Sequence, residues 1–331
     1  MARAAGLDVH KQTVVATVRT PERRETRTFG TMTADLERVA AWVHEQGVTH
    51  VAMESTGSFW VPLYTILDDQ APAIELVVAN AQQVKAVPGR KTAVKDSAWR
   101  CDLLRHGLLR GSFIPDKEHP ERRELARTRK ALIRARAQEV NRVQKRLEGA
   151  HSKLVAVATD VLGVSGRQML AALVAGSTDP VALAALAKGQ LTRQQAALEQ
   201  ALTGLVGEHQ RFVLREQLGH SDDLDARSTR LSAELEDRLR PFAAALDALD
   251  TSPGVGRPTA EVILAELGAD LARFPSAAHL ASWAGRCPGN HESAGQRHRG
   301  RTRKGTPWLR DTLVEAAWAA SRTKGTYLRA P

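Results

Sequence analysis

Strand-like patterning stops in this chain at Pro115, and no strand pattern recurs for a long way beyond Pro120. That break divides the chain into a layered front and a helical back. Before it, a short apolar lead to Asp8, the β-rich run Thr13–Val18, the apolar run Val48–Met53 and the run Ile74–Ala79 read as strands. Ala34–Gln46, Trp60–Asp69 and Ala98–Leu109 read as helices among them. Alternation of this kind predicts an α/β layer fold. Past the break, Ile133, Val140, Leu147 and Leu154 recur every seven residues with Val143 and Ala150 between them, so a long helix with a coiled-coil seam is predicted over Glu121–Val157. Leu224, Leu231, Leu235, Leu239, Phe242 and Leu246 predict a second amphipathic helix, able to pair with the first in the same chain or in a partner. The expected organisation is residues 1–116 as an α/β domain, 117–245 as a helical coiled-coil region and 246–331 as a mainly helical C-terminal domain.

Several function classes drop out on composition. A chain of 331 residues, 43% hydrophobic and 25% charged, is ordinary for a soluble globular protein of two domains or more. No window approaches the roughly 18 uninterrupted apolar residues of a membrane span, and MARAAGLD has no apolar core of a signal peptide, so a cytoplasmic protein without membrane partners is expected. Cys101 and Cys287 cannot form a disulfide framework or a cysteine-rich zinc site, and the 11 histidines show no HExxH spacing.

The net charge of +10 and a pI near 10.0 point to a polyanionic partner. Two segments carry more than the whole excess: Lys117–Lys153 has 12 Lys/Arg against 5 Asp/Glu, and Arg286–Arg310 has 7 against 1. The first is equally well explained as a solvated helix face or as a phosphate-contacting one. In the second, Arg297, Arg299, Arg301, Arg303 and Lys304 lie in a glycine-punctuated, loop-like run suited to tracking a nucleic-acid backbone.

Three acids stand at element ends: Asp8 after the apolar lead, Glu54 after Val48–Met53, and Asp96 at the start of a helical stretch. An Asp at a strand end is often a turn former, and one before a helix is often an N-cap. Glu54, however, follows an apolar strand, where an unpaired carboxylate is costly. Carboxylates converging from two adjacent strands and a helix start make a site for a hard divalent cation, with oxygen-only ligands favouring Mg2+ or Mn2+. Ser252–Ala260 turns on Gly254 and Gly256 into the helix Ala260–Leu267, which resembles a helix-hairpin-helix and would bring backbone N–H groups to a phosphate. Gly89-Arg90-Lys91-Thr92 lacks the upstream glycine of a nucleotide-binding loop.

Taken in order, GLDVHK, AMESTG, VKDSAW, DLLRHGLLRGSFIP, PGVGRPTAEVILAELG, FPSAAHLASWAGRCPGN, ESAGQRHRGRTRKG and WLRDTLVEAAWAA resemble the segments of one family over nearly the whole chain. That family is the DEDD transposases and invertases of the Piv/MooV type, the IS110 insertion sequences. The resemblance implies an N-terminal RuvC-like domain of ribonuclease-H fold, a coiled coil and a C-terminal domain carrying a nucleophilic serine. By motif, Asp8, Glu54 and Asp96 would be metal ligands and Ser293 the nucleophile that forms a transient phosphoserine link to cut DNA. It further implies a structured guide RNA encoded by the element, DNA element ends and target as partners, and a homo-oligomer, dimer or tetramer.

One position departs from the family pattern. The third motif there reads Asp-Val-Lys-Asp, and this chain has Ala93 at the first of those positions. Asp102 does not replace it, because six residues on an ideal helix rotate the side chain about 600° from Asp96. Together with the stop at Pro331, this raises the expectation of a damaged copy or a truncated chain. Two rival expectations are a junction-resolving nuclease that uses water, with Ser293 idle, and a non-catalytic nucleic-acid-binding remnant. A sugar-kinase or actin-like ATPase is a more distant one, and the glycine-rich phosphate loops it needs are not evident.

Overall fold

The computed structural model describes the 331-residue chain except residues 56, 81–83, 85–92, 110, 113, 115–117, 273, 288–291, 294, 298–305, 326 and 330–331, and describes only the backbone of 93–95, 292, 293 and 297. The chain divides into two compact units, Met1–Pro115 and Asp116–Pro331.

The first unit is built on a five-stranded mixed sheet, β1 (Ala4–Val9), β2 (Val14–Arg19), β3 (Arg24–Phe29), β4 (His50–Glu54) and β5 (Glu75–Ala79), in the order β3-β2-β1-β4-β5. The first three strands form an antiparallel meander, while β4 runs parallel to both β1 and β5. Helices cover both faces, an arrangement that fits the ribonuclease-H/RuvC-like expectation. Alternation along the strands sorts the side chains. Ala5, Leu7, Val51, Met53 and Val78 point to the face covered by α1 (Thr33–Glu45) and α2 (Trp60–Gln70), whereas Ala4, Ala52 and Val77 point to the face covered by α3 (Ala93–Arg105).

Two local features differ from the sequence reading, which placed no strand over Arg24–Phe29. The strand β3 has the sequence RETRTF and no apolar face, because it is an edge strand whose side chains mostly meet solvent; Arg27 lies over the Trp42 ring, 4.9 Å from its centroid, and Phe29 packs 5.7 Å from the same ring. Helix α3 begins at Ala93 rather than Ala98, which places Asp96 inside its first turn, and it ends at Arg105 rather than Leu109.

Among the described residues the second unit is helical apart from a small ribbon of two strands, β6 (Glu292–Ser293) and β7 (Gln296–Arg297). Its spine is a pair of 32-residue helices, α4 (Glu118–Gly149) and α9 (Glu208–Leu239). Glu121 pairs with Arg238, and Arg136 Nε lies 2.6 Å from Asp225, so the two helices run antiparallel within one chain. The predicted helix over Glu121–Val157 stops at Gly149. His151 takes a left-handed φ of 57°, Ser152 N–H turns back to the Leu147 carbonyl, and Leu154 resumes in a separate short helix, α5 (Leu154–Val157). Leu147, Val143 and Leu154 are buried as the seam requires, but Ile133 is 51% exposed. Around this end of the pair fold α6 (Val164–Ala175), α7 (Pro180–Ala184) and α8 (Gln195–Leu202), whose Met169, Leu170, Leu183 and Leu198 join one core with Val143, Leu147 and Leu214. The second predicted helix also divides: Pro241 ends α9, since a proline removes an N–H and crowds the preceding turn, and Leu246 falls on α10 (Ala243–Asp250).

At the other end, α11 (Arg257–Leu267) is buried along Ala260–Leu267 and packs with α4, α10 and α13 (Pro307–Arg322); α12 (Ala277–Trp283) adds Leu280 to that core. Two carboxylates go inside with α11. Glu266 is fully buried and takes both Arg127 Nε at 2.6 Å and Arg127 Nη2 at 2.9 Å, while Glu261 takes Arg129 Nη1 at 2.5 Å. Among the described residues no helix is long and apolar enough to cross a membrane.

Glu266→Ala leaves Arg127 half-enclosed without its bidentate partner, and breaking a buried pair in this way costs about 3–5 kcal/mol. Chemical denaturation is expected to show that loss, whereas Glu315→Ala, which removes an exposed partner of Lys130, changes stability by less than about 1 kcal/mol.

Candidate functional site

Asp8 and Glu54 sit at the same end of neighbouring parallel strands. Leu7 is in register with Met53, so the next position on each strand carries the acid, about 4.8 Å apart in strand spacing. Both side chains lie on the face covered by α3, two residues along from Gly6 and Ala52 respectively.

How closely α3 approaches this face is decided by Gly6. A Cβ there would stand 2.1 Å from the Ser97 carbonyl oxygen and 2.5 Å from the Cys101 nitrogen, so only glycine admits the helix backbone. Two polar contacts set the helix in place: Ser97 Oγ and Thr17 Oγ1 share a hydrogen bond of 2.8 Å, and Cys101 Sγ donates to the Ala4 carbonyl at 3.3 Å. Burial, with the Asp102 carboxylate beside it, pushes the Cys101 thiol up to about 11, so it remains protonated and is no nucleophile at neutral pH.

With α3 so placed, Arg100 lands between the two acids. Its Nη2 donates to Glu54 Oε2 at 2.7 Å and its Nη1 lies 2.9 Å from Asp8 Oδ1, with the arginine side chain 7% exposed. The Nη1 contact is close but poorly aligned, and neither Nη1 nor Nε makes a hydrogen bond in this buried setting. Asp8 also accepts a hydrogen bond from His10 Nε2 at 3.1 Å. The guanidinium therefore neutralises part of a carboxylate pair while two of its own donors go unused.

Of the residues expected to form a site, the structure brings Asp8 and Glu54 together and does not gather Asp96 with them. Asp96 is half-buried on α3, four residues before Arg100 and on the same helix face. Among the described residues no group of three His, Cys, Asp or Glu side chains is arranged to hold a metal ion. The donor chemistry of Asp8 and Glu54 fits a hard divalent cation, yet the place between them is held by Arg100, so an ion and the guanidinium compete for the same oxygens. Asp102 is engaged elsewhere, in an ion pair with Arg19 at the opposite end of β2. Arg100 was missed in the sequence; the signal for it was its spacing of four from Asp96 on an otherwise sheet-facing helix.

In the second unit, the backbone of Ser293 lies in the β6–β7 ribbon, paired with Gln296 next to a turn containing the exposed Gly295. Arg297 follows in β7, while Arg299, Arg301, Arg303 and Lys304 lie outside the described residues. Gly254 and Gly256 differ in their surroundings. Gly254 has φ +80°, and a Cβ on it would stand 2.2 Å from the Ala316 carbonyl oxygen of α13, so packing alone accounts for glycine at this position. Gly256 is exposed at the N-terminus of α11, with open space where a Cβ would be.

Two family models match the chain. Residues 246–330 match the transposase IS116/IS110/IS902 family, and residues 5–152 match the IS110-type DEDD transposase model, described as a transposase. A Pseudomonas aeruginosa protein described as a "probable family 20 transposase" is 26% identical over 276 residues, covering 82% of this chain and 71% of that protein. A solved structure, T. thermophilus RuvC in complex with a Holliday junction substrate, is similar at 11% identity and a TM-score of 0.26, over 34% of this chain and the whole of that one.

Gly6→Ala forces α3 off β1 and so displaces Arg100 from the acids. It is expected to destabilise the protein by about 3 kcal/mol or more, read from the denaturation midpoint, while Gly256→Ala has a far smaller effect. Equal effects of the two substitutions would show that the close approach at Gly6 does not control the packing.

Proposed function

We propose that this chain, whose residues 5–152 and 246–330 match models of IS110-type transposases, catalyses DNA strand exchange, excising and inserting its element, with Ser293 as nucleophile and Asp8, Glu54 and Asp96 as ligands of Mg2+ or Mn2+. The observation that carries this reading is the pairing of Asp8 and Glu54 at the ends of adjacent parallel strands, inside the segment that matches a DEDD transposase. Two carboxylates at strand spacing present the oxygen donors to which a hard divalent ion would be drawn. Bound there, such an ion supplies positive charge at a backbone phosphate and eases loss of a proton from an attacking hydroxyl.

The protein's own residues do the rest. Ser293 Oγ attacks phosphorus, its proton is lost, and the new O–P bond replaces the bond to a DNA sugar oxygen, which leaves with a proton. A free DNA hydroxyl then attacks the phosphoserine and restores the serine. Each step exchanges one phosphate ester for another, so no outside energy source is needed. Arg297, Arg299, Arg301, Arg303 and Lys304, next to Ser293 in sequence, hold backbone phosphates near the break, and the exposed N–H groups at Gly256 offer another phosphate contact. An element-encoded guide RNA would choose the sites by base pairing, which is consistent with an aromatic content of only 4% and few stacking platforms for reading bases directly. The working form is a homo-oligomer, dimer or tetramer.

Purified protein incubated with Mg2+, its co-encoded RNA and labelled element-end DNA is expected to give a covalent protein–DNA band on a denaturing gel, lost in Ser293→Ala. Cleavage that survives this substitution would favour attack by water instead. Metal binding is tested without turnover: in Mn2+ titrations followed by electron paramagnetic resonance, Asp8→Asn weakens binding, whereas Arg100→Leu removes the competing cation and tightens it about tenfold or more, roughly 1.4 kcal/mol. No change in either variant would remove Asp8 and Glu54 as ligands.

A further inference from the structure

The cations along α4 divide into two sets. Arg127, Arg129, Lys130 and Arg134 each reach a carboxylate on α11 or α13, and are used in holding the C-terminal helices. Near the other end of α4 the partners run out. Arg142 keeps one contact, with Glu139 at 2.7 Å, and its own side chain is 63% exposed. Lys145 and Arg146 have no ion pair with any described residue.

Arg142, Lys145 and Arg146 stand three and four positions apart, so like charges are stacked on one helix face, which is unfavourable unless an anion lies against them. Arg142 and Lys145 are exposed and Arg146 is half-buried. Together with Gly149 and with Gln210 and Gln217 of α9, they line a cleft of about 350 Å3, within the range of about 300–1,000 Å3 typical of ligand pockets. Two polar atoms there, Arg146 Nε and Gln217 Oε1, are buried without a hydrogen-bond partner, which is costly unless a ligand supplies one.

We propose that this cleft between α4 and α9 binds the sugar–phosphate backbone of a nucleic acid, with Lys145 and Arg146 on phosphate oxygens and the amides of Gln210 and Gln217 on the sugar–phosphate edge. Three cations with neutral amides across from them suit a ligand that alternates anionic phosphates with uncharged sugars. A purely anionic pocket ligand would need no amide side. Among the described residues its lining has no carboxylate or hydroxyl, so it would hold nucleic acid without taking part in bond exchange. It rests on the reading of the chain as a nucleic-acid enzyme, and the experiment separates the two.

Fluorescence anisotropy of the full chain with a labelled DNA duplex and, separately, a labelled RNA stem–loop is measured against salt, comparing wild type with Lys145→Ala/Arg146→Gln. Loss of two phosphate contacts is expected to weaken binding at low salt about tenfold or more and to lower the slope of log affinity against log salt by about 2. Arg146→Lys keeps most of the affinity, and Lys153→Ala, which removes a cation engaged with Glu148, leaves it unchanged. Circular dichroism melts establish that the double variant is folded; if it is not, Lys145→Glu, at an exposed side chain, gives the same test. A loss confined to the RNA assigns the cleft to RNA, and a loss confined to the duplex assigns it to DNA. Wild-type binding that the substitutions leave intact overturns the cleft while sparing the functional reading, and no binding of either probe by wild type overturns both.

Discussion

The first unit depends on the contact between α3 and β1 at Gly6. With no side chain there, the helix backbone touches the strand, and Arg100 is carried to a point between two carboxylates held on adjacent strands. Left alone, two carboxylates at strand spacing repel by about 3 kcal/mol at the effective dielectric of a partly buried site. The guanidinium offsets that repulsion without cancelling it. The pair is therefore stable enough to fold beneath α3, and its oxygens remain the donor type that a divalent ion prefers.

In the second unit, arginine serves a different purpose. Bidentate pairing of Arg127 with the fully buried Glu266, and a single short contact of Arg129 with Glu261, give two costly carboxylates charged partners. Such pairs fix which turn of α11 faces which turn of α4 more sharply than apolar contacts do, because a slip of one turn would leave charges buried and unpaired. The same helix thus carries cations that lock the C-terminal helices and, farther along, cations that face a cleft. Net charge alone cannot distinguish the two sets.

Much of the architecture was legible in the residues. Strands β1, β2, β4 and β5 announce themselves because an apolar, β-branched run survives only where a sheet buries it, and α1 and α2 match their periodic stretches to within a residue or so. Strand β3 was hidden because an edge strand of charged and hydroxyl residues has no hydrophobic signature. The seam of α4 was visible over Val140 and Leu147, but its end was not: the stop at Gly149 depends on a left-handed turn at His151 that a heptad pattern passes over. Gly254 shows a similar ambiguity, since a glycine needed for α13 to pack and a glycine needed for a phosphate are the same letter in a sequence.

The sequence by itself determined the strand-then-helix organisation, the acids at strand ends, the serine beside a basic run and the family that unites these motifs. Those are properties of local pattern and residue type. Only the tertiary structure decided that Arg100, on a helix some 46 positions beyond Glu54, closes on that acid and on Asp8, and that Arg127, Arg129, Lys130 and Arg134 are engaged by carboxylates of α11 and α13 while Lys145 and Arg146 are left facing a cleft. The physical reason is that charges act through space over a few ångströms, and which charges come that close is set by packing between distant segments rather than by their order along the chain.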